Sequence, residues 1–336
     1  MKIGPFDCDK RILIVAEIGN NHEGRFDVAQ ELTRRAAASK ADAVKFQTFR
    51  TEHYVSASDR ARFERLKGFE LSIEQFARLA QLARGLGLLF LSTPFDLASA
   101  AGLEPLVDAF KIASGDNTFF PLIARVADTG KPMILSTGLS DLELIRRTVA
   151  FIQARPGRSR IPEQLAVLHC VSSYPVQPEE ANLRAIPHLA QELGVTAGYS
   201  DHTEGIEAAV VAAALGARII EKHFTLDKHF SDFRDHQLSS DPADLKALIE
   251  RIRLAERLIG DFKKTVQPSE ADNVPLLRRS IVAAGNLETG HCLTDADLTW
   301  TRPAGGIEPG QEQRLIGRKL KKPKAFGERF ALSDVE

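Results

Sequence analysis

Residues 12–24 read ILIVAEIGNNHEG, from Ile12 to Gly24. An apolar run ends abruptly in a carboxylate, two amides, a histidine and a second carboxylate. Ile12–Ala16 has the composition of a strand buried on both faces, as parallel sheets require. The same pattern recurs at Ala43–Phe46, Leu88–Leu91, Ala109–Ile112, Met133–Leu135, Ala166–Leu168, Thr196–Tyr199 and Arg218–Ile220. Helix-like segments separate these eight runs, and a last one follows at Pro242–Ile259. One strand–helix unit every ~30 residues predicts an α/β chain folded as a (β/α)8 TIM barrel. A doubly wound open sheet is the structural rival. It would more often place GxGxxG after its first strand, where this chain has Glu17-Ile18-Gly19-Asn20-Asn21-His22-Glu23-Gly24.

Beyond the last helix the style changes. Asp261–Pro275 is polar, with Lys263, Lys264, Gln267, Pro268 and Pro275, and reads as a linker. From about Arg278 the runs shorten and turn pairs multiply, as at Gly285-Asn286, Thr289-Gly290 and Pro309-Gly310. The expected division is a barrel over 1–262, a linker over 263–277 and a small, mostly β module over 278–336. Such a small module buries little surface and is expected to lean on a partner.

Bulk properties narrow the function classes. The net charge of −1 gives no field that would draw nucleic acid or an anionic membrane. An anionic substrate must therefore be held by a local basic site. The three cysteines, Cys8, Cys170 and Cys292, form no CxxC pair, which argues against a disulfide framework or a cysteine zinc site. No basic segment leads into an apolar stretch at the N-terminus, and no apolar run reaches ~18 residues, so a cytoplasmic location is expected.

In a barrel the C-terminal strand ends carry the site. Every strand here delivers polar groups to that rim: Glu17, Asn20 and Asn21; Lys45, Gln47 and Thr48; Ser92, Thr93 and Asp96; Lys111, Ser114 and Asp116; Ser136 and Thr137; His169, Ser172, Ser173 and Tyr174; Ser200, Asp201 and His202; Glu221, Lys222 and His223. Lys45 and Lys111 follow apolar strands and would be partly desolvated. They need an anion, either a ligand phosphate and carboxylate or the carboxylates of Glu17, Asp116 or Glu221. Two such lysines at one rim favour a ligand, with Ser114, Ser136, Ser172 and Ser200 completing its cradle. His202 and His223 end adjacent strands and could converge on one catalytic divalent ion, Mn²⁺ or zinc. Glu17 is the best acid–base candidate. His22, His169, His229 and His236 read as structural, and Glu23 as a helix cap.

These rim residues, in order, resemble the sialic acid synthase family. The matching motifs are AEIGNNHEG (Ala16–Gly24), VKFQTF (Val44–Phe49), LSTPFD (Leu91–Asp96), FKIASGD (Phe110–Asp116), ILSTG (Ile134–Gly138), LHCVSSYP (Leu168–Pro175), GYSDHT (Gly198–Thr203) and EKHFTLDK (Glu221–Lys228). In the tail, RRSIVAA (Arg278–Ala284) and TWTRP (Thr299–Pro303) are similar to the antifreeze-like (SAF) domain that ends these synthases.

The resemblance implies a metal-dependent condensation of phosphoenolpyruvate with an amino-sugar aldose, such as N-acetylmannosamine, giving a nine-carbon 3-deoxy-2-keto sugar acid and phosphate. By the same likeness His202 and His223 bind Mn²⁺, with Mg²⁺ or Co²⁺ as alternatives, and Glu17 sits at the reacting centre. Lys45 and Lys111 hold phosphoenolpyruvate, with Thr93, Ser114, Ser136, Ser172 and Ser200 lining its pocket. Gln47, Asp116, Tyr174 and Asp235 contact the sugar, and Arg302 reaches across a domain-swapped homodimer. The chain departs from the family pattern at three places, which touch the sugar side more than the phosphoenolpyruvate side: Ser172 stands where Asn is frequent, Asp116 where Glu is, and the loop His229–Asp241 lacks a GPD-type sequence. Two other classes share parts of the pattern. A metal-dependent aldolase or isomerase would use the barrel without phosphoenolpyruvate, and an ice- or polysaccharide-binding protein would use the tail.

Overall fold

The computed structural model describes residues 1–158, 161–261 and 263–336. The chain divides into two compact units, Met1–Gly260 and Asp261–Glu336. The expected boundary at residue 262 falls outside the described residues.

The first unit is a closed barrel of eight parallel strands in sequence order. They are β1 (Leu13–Gly19), β2 (Ala43–Thr48), β3 (Leu89–Pro94), β4 (Ala109–Ile112), β5 (Met133–Ser136), β6 (Leu165–Cys170), β7 (Thr196–Asp201) and β8 (Ile219–His223). β8 closes on β1 with Glu221 beside Val15 and His223 beside Glu17. A helix follows each strand, ending with Pro242–Ile259 as the periodicity predicts. Two shorter helices, Thr51–Tyr54 and Arg60–Phe69, precede the long helix Ile73–Gly85 between β2 and β3. Side-chain caps fix several helix starts: Ser72 and Gln75 form a reciprocal capping box, and Asp96, Asp141 and Asp241 accept from first-turn amides.

Alternation along the strands positions the site. Leu13, Val15, Ala43, Leu89, Leu91, Ala109, Ile134, Ala166, Leu168 and Ile219 form the inner cluster. Met1, Ile3 and Cys8 join it from an N-terminal hairpin that pairs Lys2–Ile3 with Phe6–Asp7 and plugs the bottom of the barrel. Continuing each inward column by two residues reaches Glu17, Lys45, Thr93, Lys111, Ser136, Cys170 and Glu221, with Ser200 and His223 completing the ring. The opposite phase (Ile14, Ala16, Val44, Phe46, Phe90, Phe110, Ile220) packs under the helices. Each fully buried aliphatic side chain in these layers contributes ~1.5–3 kcal/mol relative to exposure. Asp201 and Lys222 belong to the outward phase. They form a buried ion pair of 2.9 Å behind the barrel wall and do not face the rim cavity.

The second unit pairs β9 (Ser280–Ala283) with β10 (Leu298–Thr301) in antiparallel register. Its own core gathers Ile281, Ala283, Leu287, Leu293, Leu298, Ile307, Leu315, Leu320, Phe330 and Val335. The stretch read as a linker is more ordered than its composition suggested. It holds a turn at Pro268–Glu270 and a helix at Asn273–Leu277, and Ala304 donates its amide to the Pro275 carbonyl at 2.8 Å. Among the described residues no helix is long and apolar enough to cross a membrane.

Candidate active site

At the C-terminal end of the barrel lies a cavity of about 720 Å³. Thirteen of the fifteen residues singled out from the sequence line it: Glu17, Lys45, Gln47, Thr93, Lys111, Ser114, Ser136, Ser172, Tyr174, Ser200, His202, His223 and Asp235. Asp116 stands just behind Ser114 and Gly115, in the turn Ser114–Asp116. Arg302 belongs to the second unit, where it is exposed.

The two lysines are buried and share carboxylates. Lys45 Nζ lies 2.9 Å from Glu17 Oε2 and 3.6 Å from Glu221 Oε2, and donates to Thr93 Oγ1 at 3.2 Å. Lys111 Nζ lies 3.6 Å from Glu221 Oε1, which also accepts from Ser200 Oγ at 2.9 Å. Glu221 is thus the counter-ion of both lysines. The sequence offered it only as one of several partners for them. The signal that could have singled it out is its inward phase on β8, two residues beyond Ile219.

Burial and charge set the titration of this group of four. Burial alone would raise Glu221, but the Lys111 and Lys45 ammonium groups outweigh it and hold the carboxyl down at about 2. At Glu17 burial wins, helped by the Glu221 charge, and the carboxyl is pushed up. Burial lowers Lys111, with the neighbouring Lys45 adding to the effect. Lys45 is also buried, but Glu17 and Glu221 together outweigh that and raise it. The centre therefore sets a carboxyl whose proton affinity is raised beside one whose proton affinity is lowered.

Hydroxyls surround the lysines. Gly138 donates its amide to Ser114 Oγ at 3.1 Å, and a Cβ at this position would collide with the hydroxyls of Ser114 and Ser172. A glycine is therefore needed for the two hydroxyls to converge there. Ser136 Oγ is buried without a partner. Hydroxyls grouped near two ammonium groups, one hydroxyl without a protein partner, suit an anion with several oxygens.

The imidazoles converge as expected, with ring centroids 5.3 Å apart, and the Tyr174 ring lies tilted by 32° with its centroid 4.2 Å from that of His202. His202 Nδ1 lies 2.8 Å from the Val171 carbonyl, which makes Nδ1 the donor and Nε2 the nitrogen available to a ligand. That outer bond is typical of a metal-ligating histidine. His223 Nδ1 is buried without a partner, and burial with the neighbouring His202 and Lys45 charges keeps the ring well below its ordinary range, hence neutral. Two convergent imidazoles, one with a buried nitrogen that has no protein partner, fit a divalent ion. Among the described residues no third His, Cys, Asp or Glu joins them, so the remaining positions would be left to water and substrate.

The outer mouth holds residues that the motifs did not single out. Arg62 and Arg65 reach it from the helix Arg60–Phe69, with Arg62 over the Tyr54 ring at 5.8 Å. Arg234 lies over the Tyr174 ring at 5.1 Å and 3.5 Å from Asp235 Oδ1. Burial pushes the Asp235 carboxyl up, against the pull of Arg234 and His202. Of the four histidines read as structural, His22 accepts the Gly24 amide at 3.0 Å, His169 is 2.8 Å from the Ala181 carbonyl, and His236 is buried in a network described below.

Asp116 supports a stability prediction. Its Oδ2 is buried without a partner, and burial lifts the carboxyl from 3.8 to about 6. Between those values the folded chain holds a proton that the unfolded chain has released. Stability therefore falls as pH rises through that window, and the loss persists above it. Asp116→Asn is expected to raise Tm near pH 8 and to leave it unchanged near pH 3. Paired melting curves at the two pH values check this.

Comparison with known proteins bears on the family and the barrel fold. Residues 32–264 match the model of the NeuB family. An uncharacterized protein of Methanocaldococcus jannaschii is 45% identical over 93% of this chain and 90% of its own length. The N,N'-diacetyllegionaminic acid synthase of Campylobacter jejuni is 36% identical over 92% of this chain and 96% of its own. Among solved structures, the N-acetylneuraminic acid synthetase of Leptospira borgpetersenii, in complex with citrate, superposes with a TM-score of 0.73 at 33% identity, covering 79% of this chain and 90% of that one.

Proposed function

The chain belongs to the NeuB family, and on that premise and the geometry of its cavity we propose that it condenses phosphoenolpyruvate with an amino-sugar aldose. The product is a sialic-acid-like 3-deoxy-nonulosonate, released with inorganic phosphate. N-acetylmannosamine or a related N-acetylated hexosamine is the aldose in this reading. One observation carries it: two buried ammonium groups, a cradle of hydroxyls and two convergent imidazoles share one cavity.

The residues divide the work by position. Lys45 and Lys111 hold the phosphate and carboxylate of phosphoenolpyruvate, with Thr93, Ser114, Ser136, Ser172 and Ser200 completing the hydrogen bonds. Gln47, Asp116, Tyr174 and Asp235 orient the aldose, and Arg302 from the tail of a second copy is the remaining sugar contact. C3 of phosphoenolpyruvate bonds to the aldehyde carbon, whose oxygen takes a proton, and positive charge is left at C2. Water adds at C2 and loses a proton. The bond from C2 to the bridging oxygen then breaks while the new C2 hydroxyl gives up its proton to the departing phosphate, leaving the ketone and free phosphate. Glu17, which burial disposes to carry a proton, is placed to give and take these protons. Holding both reactants beside one carboxyl supplies much of the rate. His202 and His223 would hold a divalent ion, Mn²⁺ first, whose chemistry is to polarise the aldehyde. The tail serves as the SAF domain of a domain-swapped homodimer, and the enzyme works in the cytoplasm.

Phosphate release is the direct test. It is expected only when phosphoenolpyruvate and an aldose are supplied together, and Lys45→Met should slow it by about a hundredfold or more. Equal release without any aldose would contradict the condensation.

A further inference from the structure

One buried imidazole ties together two loops whose neighbours wall the cavity. His236 is 1% exposed. Its Nδ1 stands 2.6 Å from Thr225 Oγ1, and its Nε2 stands 3.2 Å from Glu23 Oε1, 213 positions away in the chain. Ser231 donates its hydroxyl to the same glutamate oxygen. The ring is caged by Phe230 and Phe233, with centroids 5.1 and 6.0 Å away. Glu23 is itself pinned from the other side. Its neighbour Gly24, at φ +75°, packs so closely on the Gly68 carbonyl that a Cβ there would collide. Gly68 lies in the last turn of the helix that presents Arg62 and Arg65, and Phe69 meets Phe233 edge-on at 5.3 Å.

Neither Glu23 nor His236 lines the cavity, but what they hold does: Asp232, Phe233, Arg234 and Asp235 on one side, Arg62 and Arg65 on the other. The lysines, Thr93, Ser136 and Ser200 of the phosphoenolpyruvate end stand on strands, and none of that end's residues touches Glu23 or His236. The distal wall is built from loops, and a site on loops is only as accurate as the groups that fix them.

We propose that the Glu23–His236 pair is a positioning device that sets the aldose side of the cavity. It clasps the loop after β8 to the loop after β1 and so fixes Asp232–Asp235 where the sugar is read. What that wall receives rests on the function proposed above. The clasp itself does not.

The test uses the full chain with Glu23→Ala and Glu23→Gln. The glutamine keeps a carbonyl that accepts from both the imidazole and the Ser231 hydroxyl. Hydrogen exchange is followed over residues 228–238 without substrates, and steady-state kinetics are taken with both. In Glu23→Ala, exchange in that segment should quicken by about tenfold or more while the strands keep their protection. KM for the aldose should rise by about tenfold or more, with KM for phosphoenolpyruvate within about twofold of the parent. Glu23→Gln should restore both readouts most of the way. Unchanged exchange in Glu23→Ala, loss of protection across the whole barrel, an equal rise in both KM values, or a glutamine variant no better than the alanine would each overturn the clasp. If the parent protein consumes no phosphoenolpyruvate with any aldose, the proposed function fails and the exchange result still decides the clasp.

Discussion

Glu221→Gln should leave the ligand-free barrel markedly less stable, and phosphate should restore much of the loss. Glu221 is fully buried and faces Lys45 and Lys111 at 3.6 Å each. Removing its charge leaves Lys111 without a carboxylate and Lys45 with Glu17 alone. Breaking a buried pair from one side costs about 3–5 kcal/mol, because an uncompensated charge remains in a dry site. The same change removes the internal competitor for an incoming anion. Inorganic phosphate should therefore bind the variant more tightly than the parent and raise its Tm more. Melting curves with and without phosphate, with calorimetric titration, read both effects. A variant as stable as the parent, or one that phosphate does not help, would mean that the lysines are not the anion site.

His202→Ala and His223→Ala should each reduce turnover by about a hundredfold or more, and each should weaken Mn²⁺ binding measured directly by electron paramagnetic resonance. Among the described residues no group of three or more His, Cys, Asp or Glu side chains could hold a metal, so the site rests on these two imidazoles and either loss leaves one. His202 Nδ1 is already committed to the Val171 carbonyl, so a shifted backbone could not offer the other nitrogen instead. Full activity or undiminished Mn²⁺ binding in either variant would remove the metal assignment.

Much of this molecule was legible in the sequence, and the gaps have physical causes. The eight strands could be found because a strand buried on both faces must be apolar throughout. Their ends could not, because the rim residues that extend them are polar: β1 runs on to Gly19 and β2 to Thr48, past Glu17, Lys45 and Gln47. The N-terminal hairpin has two-residue strands, too short to carry a period. Lys222 and Asp201 were placed with the rim by position, although the alternation on β8 already puts Lys222 opposite to Glu221 and His223. Arg62 and Arg65 sit in a helix with no motif, and only its fold over the mouth brings them to the cavity. The Glu23–His236 contact joins residues whose neighbours in sequence give no hint of each other.

The most direct test of the central claim follows the atoms. The protein is incubated with Mn²⁺, a panel of hexosamine aldehydes and phosphoenolpyruvate labelled with ¹⁸O at the oxygen bridging C2 and phosphorus. Mass spectrometry should show one aldose converted to a product heavier by the three carbons of pyruvate, with the label in the released phosphate. Label retained in the organic product, or pyruvate formed with no new carbon–carbon bond, would contradict the account.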